Sequence, residues 1–210
     1  MALPDPATYL LFLSAAVALI LAPGPDTLFV LSQGVQSRGL GVRAALGVAV
    51  GVLFHTVLAV LGLAAVYRTV PAAADAVRLF GGAYLALLGA VTLRNAGGEE
   101  AVGGGEAENR AATAAAPGGF RRGFLVNAAN PQVALFFLAL LPGFVEGPDR
   151  TLGMAVLGGT YAVLTAGYLA AVATAADAAT SLVGARSTRV LLDRVAGAVL
   201  IGLGAWVALG

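Results

Sequence analysis

Charged residues are so sparse in this chain that stretches of twenty or more residues carry one charge or none, and this limits what it can fold into. Only 11% of its 210 residues are charged and 59% are apolar, with a mean hydropathy of +0.90. A soluble domain carries roughly 25% charge, and a disordered chain needs low hydrophobicity with high charge. Both classes are excluded, which leaves a polytopic membrane protein of one domain over residues 1–210. A net charge of +1 gives no footprint for nucleic acid. Cysteine is absent, which excludes disulfides, thiol redox chemistry and Cys-ligated metal. The N-terminal apolar run has no basic segment before it, only Asp5, and is read as a span and not as a cleavable signal.

A helix needs about 20 apolar residues to cross a bilayer. With charges as punctuation, six spans are expected, over about 7–32, 44–67, 71–93, 123–145, 151–176 and 195–210. The third and sixth have short uncharged cores, and they cross only if Arg78 and Arg194 snorkel to the interface. Nine arginines (38, 43, 94, 110, 121, 122, 186, 189 and 194) follow spans one, three and five, against three (68, 78 and 150) on the other side. Positive charge marks the cytoplasmic side, so both termini are expected outside. Residues 96–119 are rich in Gly, Ala and Glu and are read as a flexible cytoplasmic linker.

The linker separates a first repeat (1–95) from a second (120–210). At an offset of 106, Pro25 matches Pro131, Gly41 matches Gly147, Gly47 matches Gly153 and His55 matches Tyr161. Three spans is an odd number, so the second copy has to lie upside down. The expected fold is all-α, with six transmembrane helices as two inverted three-helix repeats. Transporters of that architecture hold solute near the midplane, between broken helices.

The breaks themselves are visible. Pro23-Gly24-Pro25 interrupts the first span and Pro131 the fourth. Proline lacks an N–H and frees backbone carbonyls, which in hydrocarbon must find a partner or face a wet cavity. Beside the breaks stand Asp26 and Thr27 in one half, and Asn127 and Asn130 in the other. Asp26 costs about 2.5–3.5 kcal/mol at the centre of a span, so it should face the interior, as a proton carrier, a contact for an ammonium group, or the N-cap of the half-helix after Pro25. Asn127 and Asn130, three residues apart, are expected on one helical face, to bind a carboxylate or patch the freed carbonyls. His55 is the single histidine and sits mid-span, where it can exchange protons or bond a neighbouring helix. Tyr161 would add a hydroxyl to the same cavity. Tyr84, Tyr168 and Trp206 are read as packing or interface aromatics, and the glycines at 41, 47, 51, 197 and 204 as close helix packing.

Pro23-Gly24-Pro25-Asp26, the Gly-x-x-x-His that ends at His55, and Asn127-x-x-Asn130-Pro131 followed by Ala134-Leu135-Phe136-Phe137 resemble the LysE/RhtB translocators in order and spacing. That resemblance implies a multi-pass exporter in the bacterial cytoplasmic membrane. It would move a small amino acid or derivative, driven by the proton motive force. Asp26, Thr27, His55, Asn127, Asn130 and Tyr161 would serve the solute and the proton. Family members often carry Asn after Pro-Gly-Pro and Lys after Asn-Pro; this chain has Asp26 and Gln132. Its partners would be the solute, protons and the bilayer, with homo-oligomers allowed and no cofactor or metal required. Two alternatives are a metal-ion exporter of the same superfamily and a membrane enzyme. The first is disfavoured by the lack of Cys and the single His. The second is disfavoured by the absence of a Gly-x-Ser-x-Gly elbow, a His-Glu-x-x-His pair or paired carboxylates in a span.

Overall fold

The computed structural model describes residues 5–22, 24–69, 118–145, 149–176 and 186–209, together with 79, 82–83, 86–87, 89–94 and 96. Every regular element among them is helical: α1 (Pro6–Leu21), α2 (Pro25–Gln36), α3 (Arg38–Thr69), α4 (Gly119–Ala128), α5 (Pro131–Leu135), α6 (Arg150–Thr174) and α7 (Arg186–Leu209). A π turn (Phe136–Leu140) and a 3-10 turn (Leu141–Phe144) continue α5. Among the described residues, two helical stretches, Arg38–Gly62 and Arg150–Thr174, are long and apolar enough to cross a membrane. Counting each of two bent pairs as one span gives four. Most of the third expected span, almost all of the linker over 96–119, and Pro23 lie outside the described residues.

The helices begin earlier than the charge pattern implies. α3 starts at Arg38 instead of 44, α4 at Gly119 instead of 123, and α7 at Arg186 instead of 195. The reason is that arginine is a good helix former. The backbone ladder therefore runs on into the interface after the apolar stretch has ended. α1 is closed by Asp5, whose carboxylate accepts from the amides of Ala7 and Thr8 and from the Thr8 hydroxyl. These bonds hold its carboxyl below the usual carboxylate range. Their contribution is present above that range and lost as pH falls through the lowered value.

Polarity is distributed inside out. α3 turns Leu46, Val50, Leu53, Val57 and Leu61 outward and buries His55 and Thr56. Lipid can solvate the first group; of the second, Thr56 donates to the Val52 carbonyl of its own helix and His55 bonds outside it. In the core, Phe12, Phe136, Phe144 and Tyr161 interlock, with Phe12 and Phe144 edge to face at 5.4 Å and Phe136 and Tyr161 tilted at 5.2 Å between ring centres.

Glycine lets backbones touch where side chains would hold them apart. Gly47 of α3 lies against the backbone of Phe120 in α4, and Gly123 of α4 lies against the Ala44 carbonyl of α3. Gly197 and Gly204 of α7 meet Gly89 and Gly82 in the same way. A β-carbon at 47 or 123 would strike backbone, which cannot rotate aside. Gly47→Val or Gly123→Val should therefore cost stability at the upper end of the roughly 1–3 kcal/mol typical of overpacking. Gly159→Ala should leave stability unchanged or raise it by up to about 1 kcal/mol, because no described residue meets a β-carbon there and alanine favours the helix. Thermal unfolding in detergent reads the difference.

Candidate functional site

Each break sets a proline at the first position of a new half-helix, where its missing N–H costs nothing. α1 and α2 meet at 53°, and α4 and the segment Pro131–Phe144 at 55°. The two breaks face one another, and Asp26 joins them. Its Oδ2 accepts from Nδ2 of Asn127 at 2.9 Å and from Nδ2 of Asn130 at 3.1 Å. These bonds close contacts across 101 and 104 residues of chain.

This geometry removes one of the open readings of Asp26 and corrects the expectation for the two asparagines. Asp26 is not the cap of α2. That position belongs to Gly24, which has no side chain to offer, and Asp26 sits in the first turn with its carboxylate turned across the gap. Asn127 and Asn130 do not share a helical face. α4 ends at Ala128, and Asn130 is the N-cap of α5, its Oδ1 accepting from the Gln132 amide at 3.1 Å. Asn130 thus uses both ends of its amide, one to start a helix and one to hold the carboxylate.

His55 stands behind this contact. Its Nε2 is 3.0 Å from the Asn127 carbonyl, an acceptor, so that nitrogen carries a hydrogen. The ring is buried and packs near Phe54 and Phe137. Gly51, one turn earlier on α3, is where Asn127 seats: a β-carbon there would come within 2.6 Å of the Asn127 Oδ1.

A cavity of about 40 Å³ opens at the junction, roughly three times what a single water needs. Of the residues singled out from the sequence, Gly24, Asp26, Thr27, Asn127, Asn130 and Tyr161 line it. His55 does not. Gln132 is also on the wall, with apolar surface from Leu19, Ile20, Val133 and Phe136. Two lining residues escaped the sequence reading: Thr165, one turn beyond Tyr161 on α6, and Tyr168, which belongs to the wall as well as to the packing. The four-residue step from Tyr161 to Thr165 was the available signal.

Among the described residues, three buried atoms at the site lack a hydrogen-bond partner: Oδ1 of Asp26, Oδ1 of Asn127 and Oγ1 of Thr165. Asp26 therefore has one oxygen held by amides and one free to take a proton or a cationic donor. Among the described residues no group of three His, Asp or Glu gathers around a common point.

A protein-family model described as LysE type translocator matches residues 17–210. The leucine efflux protein of Salmonella typhimurium is 33% identical over 172 residues, covering 77% of this chain and 75% of its own length. That of Klebsiella pneumoniae is 29% identical over 205 residues, covering 95% and 94%. A membrane protein of Pseudomonas aeruginosa is 35% identical over 147 residues, covering 66% and 63%. No solved structure matches the chain. The chain is a multi-pass membrane protein that belongs to the LysE-type translocator family.

Proposed function

We propose that the chain exports a small amino acid or derivative across the bacterial cytoplasmic membrane by alternating access, in exchange for protons. One observation carries this reading: the bridge from Asp26 to Asn127 and Asn130 beside a cavity at two helix breaks. The apolar wall and the names of the relatives, leucine efflux proteins, favour a solute with an aliphatic side chain. The six spans would form two inverted three-helix repeats with both termini outside, and the linker over 96–119 would be cytoplasmic.

In this mechanism the free oxygen of Asp26 holds either a proton or the ammonium of the solute, not both. A proton arriving from outside releases the solute, and loss of that proton to the cytoplasm readies the site again. Mutual exclusion at one oxygen couples the two fluxes when the empty, charged site does not reorient. Thr27 and Tyr161 complete the wall around that oxygen. The cavity is too narrow for a free amino acid, so admission requires the walls to part. The two bends supply joints at which half-helices can swing without breaking a continuous ladder.

Asp26→Asn keeps an acceptor for the amides and removes the charge. Hydrogen bonds to charged groups are worth more than neutral ones, so efflux of preloaded leucine should fall at least about tenfold with unchanged expression. In vesicles with a controlled pH gradient, the variant's residual flux should no longer respond to that gradient. Flux equal to wild type would remove Asp26 from the mechanism. The orientation is tested separately: a periplasm-reporting phosphatase fused after residue 210 should be active, and the same reporter inserted in 96–119 inactive.

A further inference from the structure

Helix α2 runs for twelve residues and starts at the cavity wall, where Gly24 caps it without a side-chain bond. Pro25 has no N–H, so the first free donors are the amides of Asp26 and Thr27. The matching half-helix α5 differs, since Asn130 closes its start. An open helix N-terminus attracts anions, and broken helices in transporters turn that end toward an anionic part of the solute. A second, independent feature lies on the same cavity. Thr165 is 5% exposed, its Oγ1 has no partner, and its hydroxyl can donate as well as accept. A buried hydroxyl without a partner is costly unless something completes it.

We infer that the cavity recognises its solute as a zwitterion, with the α-ammonium on Oδ1 of Asp26 and the α-carboxylate between the N-terminus of α2 and the hydroxyl of Thr165. The inference rests on the export reading and adds to it which end of the solute meets which wall. The two solute charges are separated by a single carbon, and Asp26 and Thr27, adjacent at the start of α2, supply the two kinds of partner within one helical turn. The negative charge of Asp26 does not repel the solute carboxylate outright, because two amides already draw on it. The aliphatic side chain is left to the apolar wall of Leu19, Ile20, Val133 and Phe136.

The test uses the full chain in proteoliposomes, measuring uptake of radiolabelled leucine by counterflow. Unlabelled leucinol, which lacks the carboxylate, and 2-hydroxy-4-methylpentanoate, which lacks the ammonium, serve as competitors. In wild type, both should compete at least about tenfold less well than leucine. Thr165→Val, close in shape but without the hydroxyl, should raise KM for leucine about tenfold. It should also narrow the gap between leucine and leucinol as competitors, leaving the share that the N-terminus of α2 supplies. Thr165→Ser should restore both values, which a merely structural role for the methyl group would not produce. If wild type moves leucine but leucinol competes equally, or Thr165→Val leaves KM and discrimination unchanged, the zwitterion site is wrong while export stands. If wild type moves neither leucine nor any other amino acid in a labelled panel, the export reading fails and this inference fails with it.

Discussion

A carboxylate surrounded by apolar side chains has to be satisfied by something, and in this protein Asp26 is satisfied from the other half of the chain. The amides of Asn127 and Asn130 reach it from the far side of a second helix break. The contact closes the gap between two breaks that the packing brings together, each of which leaves backbone groups open that hydrocarbon will not solvate. The interaction also leaves one oxygen of Asp26 uncommitted. Holding the two halves together and offering a charge to a solute are two uses of the same group.

The surrounding packing keeps this contact in register. Glycines at 47 and 123 let α3 and α4 approach backbone to backbone. That approach brings His55 within hydrogen-bond distance of the Asn127 carbonyl and Gly51 against the Asn127 amide. On the other side, Asn130 starts α5 and is fixed by doing so. The aromatic cluster of Phe12, Phe136, Phe144 and Tyr161 packs in the core, and Phe136 and Tyr161 carry it to the cavity wall. The π turn at Phe136–Leu140 lies in that cluster, and such turns often accompany functional sites in helical proteins.

How much of this was legible in the sequence depended on how local the cause was. Proline breaks a helix by its own chemistry, so Pro25 and Pro131 announced two interruptions without help from the fold. A lone acid in a span is costly wherever it lies, which singled out Asp26. The pairing of Asp26 with two amides a hundred residues away is a property of how α2 packs on α4. Nothing in either segment specified it beyond a choice of partners. Gly24 as the cap was hidden because Asp26 is the stronger capping residue and stands only two positions on. Thr165 and Tyr168 were missed because a threonine and a tyrosine in an apolar span are unremarkable until the helix rotation is known. His55 was open to two readings, proton exchange or a bond to a neighbouring helix, and its Nε2 makes the second, to a backbone carbonyl behind the cavity.

The central claim is that the two interruptions touch through residues 26, 127 and 130. Because the chain has no native cysteine, it can be tested in membranes with paired cysteines and a short bifunctional thiol reagent. Asp26→Cys paired with Asn127→Cys or with Asn130→Cys should cross-link efficiently, read as protection from a maleimide mass tag. Asp26→Cys paired with Val17→Cys, an outward-facing position on α1, should not. Equal labelling of all three pairs, with no protection at 127 or 130, would mean that the breaks do not meet and that the cavity between them does not exist.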